Sequence, residues 1–349
     1  MESYRIVAEI ATGHEPEGVA VDPERRRAYV ACARSDVVTV VDLEECAAIG
    51  EVSVGHEPMD IAYDGRTDRV FTADLLGESV SVVDAATLRA VGSVPTGVYP
   101  SGLALDEVGR RLYCGCALSA TVAVVDVDAV EVVASVDAEP GAGAVAVDEE
   151  RARVYCANFL AGTVTVIDTI EGRVVRHVDV GAAPCAVAVN AGRSELYVAN
   201  SFADTISRID LATLNVIGTA KVDRTPVGAA VGPSGDRVYV SNRGSGTVSV
   251  VGAADAAEWG RIPVGDGPGG CTVDPLSGRL LVANAGGASL TVVEDLLSGP
   301  PSSRSDKGQH DLVGRPLPPF DLRDMRTGLM RSSREWAERK YILNFFASW

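Results

Sequence analysis

Aromatic residues make up only 5% of this 349-residue chain, and histidine occurs just four times. No apolar run approaches the ~20 residues needed to span a bilayer, so no membrane partner is expected. The opening Met1-Glu-Ser-Tyr-Arg-Ile-Val-Ala-Glu-Ile10 lacks the apolar core of a signal peptide, and a cytoplasmic location is expected. Basic residues are also scarce: 31 Lys and Arg stand against 48 Asp and Glu, a formal charge of −17. The deficit lies in residues 1–297, with 22 basic and 42 acidic residues, whereas residues 298–349 carry nine and six. A body this acidic repels phosphate backbones, which excludes nucleic acid as a general partner, and its charge reads as solubility. None of the seven cysteines pairs at C-x-x-C spacing. Cys32, Cys46, Cys114, Cys116, Cys156, Cys185 and Cys271 therefore read as reduced, mostly buried small residues. Cys114 and Cys116 point the same way from one strand, but no histidine lies nearby to complete a soft-metal site. No metal or other cofactor is expected.

What the chain has in abundance is valine, alanine and glycine, arranged with a fixed period. A large apolar residue recurs every 42 positions as Tyr29, Phe71, Tyr113, Tyr155, Tyr197, Tyr239 and Leu281. Three residues on stand Cys32, Asp74, Cys116, Asn158, Asn200, Asn242 and Asn284, and thirteen on stand Asp42, Asp84, Asp126, Asp168, Asp210, Gly252 and Glu294. Ahead of the units come Pro16, Pro58, Pro100, Pro184, Pro226 and Pro268, with Ala142 in the remaining place. Seven units without insertion or deletion signal a repeat architecture. Each unit reads as four short strands. In the fifth, Cys185–Val189 is a continuous apolar run suited to a central channel, followed by Glu195–Ala199, Thr205–Ile209 and an outer strand over Asn215–Val222. Four antiparallel strands per ~40–45 residues make one propeller blade.

The ends supply the closure. Residues 271–293 hold three strands of the last unit, but its fourth would fall on Ser298-Gly-Pro-Pro-Ser-Ser303, which cannot be a strand interior. Residues 5–12 match the missing strand, and Gly13 then falls in phase with Gly55, Gly97 and Gly181. The expected fold is all-β: a seven-bladed β-propeller over residues 1–297, closed by the N-terminal strand.

Tyr197-Val-Ala-Asn200, Tyr239-Val-Ser-Asn242 and Thr163-Val-Thr-Val-Ile-Asp168 resemble the bacterial YVTN-type propeller repeat. The resemblance implies a fold more than a function, since propellers host scaffolds and unrelated enzymes alike. The recurring Asp and Asn read as structural: Asp accepts N–H bonds from the turn that follows, and Asn does the same or adopts a left-handed conformation. Function is expected where blades differ, on loops at one mouth of the channel. Two adjacent units begin Gly13-His14-Glu15-Pro16 and Gly55-His56-Glu57-Pro58, so two His and two Glu could meet around a divalent cation; two exposed, duplicated loops are the simpler reading and the preferred one. Tyr99, Arg224 and Asp266 occupy corresponding loops. The reading is a binding scaffold for a protein or small-molecule ligand at this mouth, with no catalytic residue assigned. The alternative is a lactonase-type hydrolase with a channel metal, whose converging acidic and amide ligands the sequence does not assemble.

Beyond a Pro/Ser/Gly linker at 298–311, the chain reads Val313-Gly-Arg-Pro-Leu-Pro-Pro-Phe-Asp-Leu322 and ends Tyr341-Ile-Leu-Asn-Phe-Phe-Ala-Ser-Trp349. Residues 312–349 resemble the opening of a thioredoxin-like domain of the redoxin type, a partial α/β segment whose next residue would be the first cysteine of C-x-x-C. A complete parent would then be a thiol–disulfide oxidoreductase or a peroxide-reducing protein, while the chain as given lacks the thiol pair such exchange needs. Selenocysteine read as a stop, a nonsense change at a cysteine codon, and a frameshift are three accounts of an end at this point. Tyr341–Ala347, an apolar segment suited to a central strand, is expected to be disordered, adhesive or docked without its sheet.

Overall fold

Each 42-residue unit folds, in the computed structural model, into one four-stranded antiparallel sheet, and seven such sheets form a ring. The structure describes residues 4–296, 321–323 and 330–332. The first strand, β1 (Tyr4–Ala11), stands apart from the blade that follows it, which comprises β2 (Pro16–Asp22), β3 (Arg27–Cys32), β4 (Val37–Asp42) and β5 (Ala47–Ser53), paired in that order. The inner strands of consecutive blades pack on one another, and that of the seventh, Pro268–Val273, packs on β2 to close the circle. Proline opens the inner strand in six of the seven blades instead of preceding it, as at Pro184–Asn190. A first strand residue on an exposed inner edge is one of the few sheet positions that tolerates a missing N–H donor.

Closure follows the pattern read from the sequence. β1 pairs antiparallel with Ser289–Asp295, from Tyr4 opposite Asp295 to Ala11 opposite Ser289, and supplies the fourth strand of the last blade.

The apolar core lies between blades. Tyr29, Ala31, Val38 and Val40 of the first blade pack with Ile61, Val70 and Val83 of the second, and Phe71 and Val82 of the second with Leu103 and Leu112 of the third. Six of the seven recurring large residues are fully buried or nearly so, with Tyr113 only slightly more open. At the seam, Ile10 from β1 joins Ala28, Val30 and Val41 with Leu281, Leu290 and Val292.

The recurring polar residues tie strands and turns. The Asp42 carboxylate accepts the backbone N–H groups of Glu44 and Glu45, both at 2.8 Å, and Asp126, Asp168 and Asp210 do the same two and three residues on. Turn N–H groups hold Asp126, Asp168 and Asp210 below the usual carboxylate range. The Asn200 amide donates to Thr205 and Ser207 on the next strand, and Asn158, Asn242 and Asn284 repeat the pattern. A Cβ at Gly181 would lie 2.5 Å from Asn200 Cγ, so a side chain in this blade would displace Asn200, whereas Glu139 and Asp223 hold the equivalent place in two others. On the face carrying the turns between first and second strands, arginines clamp neighbouring blades. Arg25 grips Asp68 at 2.6 and 2.7 Å, Arg110 grips the buried Asp64 at 3.0 and 2.7 Å, and Arg26 reaches Asp274 at 2.7 Å.

The chain divides near Ser298 into two units. In the second, Asp321–Arg323 pairs antiparallel with Met330–Ser332. The linker at 298–311, the apolar segment Tyr341–Ala347 and the remainder of the thioredoxin-like reading of 312–349 lie outside the described residues.

Deleting residues 1–12 strips one strand from the last blade and exposes the seam. The melting temperature is expected to fall by roughly 5–10 °C, since several kcal/mol of burial are lost at about 1.5–2 °C each in a propeller of this size. An unchanged calorimetric transition would show that three strands suffice for the last blade.

Candidate functional site

The loops that carry His14, Glu15, His56, Glu57, Tyr99, Arg224 and Asp266 all lie at one mouth of the channel, between the outer strand of one blade and the inner strand of the next. Their backbones share one design. The residue just before the inner strand is left-handed in every blade (Glu15, Glu57, Tyr99, Gly141, Ala183, Thr225 and Gly267), with φ from 53° to 83°. Its carbonyl accepts an N–H from the turn between the second and third strands of the same blade, as in Ala33 to Glu15 at 2.8 Å and Arg243 to Thr225 at 2.8 Å. The side chains vary freely because the bond is made by the backbone.

The two His-Glu pairs do not converge. Glu15 is held by Arg34 at 2.8 Å, and His56 Nδ1 lies 2.9 Å from Asp36 Oδ1. Asp36 also accepts the Glu57 N–H, which, with His56, keeps its carboxyl low; Asp36 in turn raises the His56 imidazole. His14 is exposed and meets Ser35 through its backbone N–H. Arg224 and Asp266 are exposed and Tyr99 is half-buried. Among the described residues, no group of three or more His, Cys, Asp or Glu is placed to hold a metal ion, Cys114 and Cys116 included.

Beneath the loops lies a cavity of about 660 Å³ lined by inner-strand residues, chiefly the second to fourth of each strand, and by turn residues at the mouth. Most of these are small or apolar because the strands run close together: a Cβ at Gly102 would sit 2.5 Å from the Gly143 carbonyl oxygen. Three lining residues are charged. Glu17 on β2 pairs with Arg243 of the sixth blade, and burial still pushes its carboxyl up. Asp60, on the second blade's inner strand Pro58–Asp64, accepts the N–H groups of Ile61 and Leu103, each at 2.8 Å, and no cation pairs with it among the described residues. Burial pushes the Asp60 carboxyl up to about 6.

Above the cavity the mouth is lopsided. One turn position between second and third strands reads Arg34, Leu76, Leu118, Leu160, Phe202, Gly244 and Gly286 around the ring. In blades two to five it carries large apolar side chains, 41%, 61%, 68% and 74% exposed in order. Phe159 meets Phe202 edge to face, with centroids 5.4 Å apart, and Leu118, Phe159 and Leu160 reach down to line the cavity. Sequence reasoning missed this arc by seeking polar residues. Its signal was nevertheless present, as bulky apolar residues recurring at a turn position of the 42-residue repeat.

Asp60 binds its proton more tightly when folded than at the usual 3.8, so the fold takes up a proton between about pH 4 and 6 and stability falls as pH rises through that window. Asp60→Asn removes this titration, although its single amide oxygen keeps only one of the two N–H bonds, so the variant's stability relative to wild type is expected to rise by about 2 kcal/mol between pH 4 and pH 8. Melting curves of variant and wild type that stay parallel across this range would refute the assignment.

No curated protein matches the sequence significantly. Solved structures match in large numbers, 1603 chains in all, so likeness of shape alone cannot select a function. Kuenenia stuttgartiensis hydrazine synthase is one, with a TM-score of 0.72 at 20% identity, covering 80% of this chain and 95% of that one; at this identity it shows the propeller fold alone. Among the described residues no helix is long and apolar enough to cross a membrane. A family model described as YNCE-like beta-propeller matches residues 3–193, just over half of the chain. With its seven closed blades, the chain belongs to the YNCE-like β-propeller family.

Proposed function

We propose that the propeller is a binding platform whose ligand, a small molecule or an apolar segment of a protein, seats in the channel mouth against the arc of Leu76, Leu118, Leu160 and Phe202. The observation that carries this reading is the run of exposed apolar side chains at one turn position in four consecutive blades, directly above the cavity. Single exposed apolar residues are common on soluble proteins, but a contiguous rim over a cavity is the pattern of a ligand site. Seven unpaired cysteines suit a reducing compartment, and the proposal includes a cytoplasmic location.

The test is a thermal-shift screen of small apolar and amphipathic compounds against wild type and Leu160→Asp. Because Leu160 is largely exposed, the free variant is expected to melt within about 1–2 °C of wild type. Compounds that stabilise wild type are expected to lose that effect on the variant; equal stabilisation of both would place the ligand elsewhere.

For the tail, we propose that residues 312–349 are the opening of a thioredoxin-like domain, a reading supported by Asn344-Phe-Phe-Ala-Ser-Trp349 and the lead-in at Val313–Leu322. These 349 residues contain no C-x-x-C, so insulin reduction is expected at the buffer rate. Turnover above that rate would reveal a different thiol pair.

A further inference from the structure

We propose that Asp60 anchors a small organic cation, a protonated amine with an apolar body, its ammonium on the Asp60 carboxylate and its body along Leu118, Phe159 and Leu160. This inference rests on the platform reading above and specifies its ligand.

Asp60 departs from its own repeat. The third inner-strand position is Gly18, Gly102, Ala144, Ala186, Gly228 or Gly270 in the other blades, so six inner strands pack without a carboxylate there. The other acid lining the cavity, Glu17, already has Arg243 as its counter-ion, and that pairing also occupies Arg243. Asp60 has only the two N–H donors of Ile61 and Leu103 among the described residues, which leaves acceptor capacity on both oxygens. The cavity thus carries one unbalanced negative charge beside a mostly apolar wall. A half-buried carboxylate beside an apolar wall regains most from a ligand that brings both charge and hydrogen-bond donors.

The same geometry selects among cations. A hard divalent ion takes about six or more oxygen ligands, and no acidic cluster is present to supply them among the described residues. An alkylammonium needs one carboxylate, offers three donors, and buries its chain against the leucines and Phe159. The competing role for Asp60 is structural, tying the second blade to the third through the Leu103 N–H. An asparagine removes the charge and keeps the Leu103 bond through its one amide oxygen, at the cost of the Ile61 N–H bond, so a folded variant that loses only the ammonium preference separates the two roles.

The experiment is isothermal titration of the full chain at pH 7 with octylamine, 1-octanol and octanoate, each below its micellar concentration. Octylammonium is expected to bind at least tenfold more tightly than octanol, with octanoate weakest. Asp60→Asn is expected to bring octylammonium to the octanol level and leave octanol unchanged. Glu44→Gln, the same loss of charge on an exposed turn at the opposite face, is expected to keep the preference and so controls for general attraction to an acidic body. An absent preference in wild type, or one that survives Asp60→Asn, overturns the proposal. If octanol binds wild type but not Leu160→Asp and no ammonium preference appears, the anchor falls and the platform stands; if none of the three binds, both fall.

Discussion

A four-stranded sheet with two apolar faces has to cover both, and here each face is covered by the neighbouring blade. Tyr29 and Val40 of one sheet pack with Val70 and Val83 of the next, Phe71 with Leu112, and so around to the seam where Ile10 meets Leu290. Burying a side chain of this size contributes about 1.5–3 kcal/mol, and every such contribution here is shared between two blades. The ring therefore stands or falls on its closure. A gap at the seam would uncover two faces at once, which is why pairing of β1 with Ser289–Asp295 matters more than its single ladder of hydrogen bonds implies.

The acidity of the molecule follows partly from this construction. Asp42, Asp126, Asp168 and Asp210 each close a turn by accepting two backbone N–H groups, and Asp64 and Asp68 receive arginines from adjacent blades. A turn device repeated around the ring accumulates charge. Part of the net −17 thus has a local structural origin in addition to its effect on solubility.

The fold was legible in the sequence because every unit obeys one period, so that Tyr29 and Tyr239 announce the same packing role. The role of the recurring Asp was legible too, since a side chain that caps its own turn depends on nothing distant; the recurring Asn instead donate to Ser and Thr on the next strand, a cross-strand role that turn chemistry did not announce. The site was harder to see. His14, Glu15, His56 and Glu57 attracted attention as polar residues, yet Glu15 and His56 are engaged by Arg34 and Asp36 in nearby turns. The meeting of Glu17 with Arg243, 226 residues apart, depends on where two loops and a strand lie around the ring, and spacing does not encode that. Asp60 and the leucine arc were readable in principle, as departures within a column of the repeat.

Closing the ring with its first strand also sets an order on synthesis. β1 leaves the ribosome first, while its partner Ser289–Asp295 is made last among the propeller strands. At about 5–20 residues per second, β1 waits roughly 15–60 s before its edge can pair. Through that interval the nascent chain holds an unmatched apolar strand at one end and a growing, open stack of blades at the other. The seam that makes the finished propeller cooperative is thus the part most exposed to mispairing while the protein is being made.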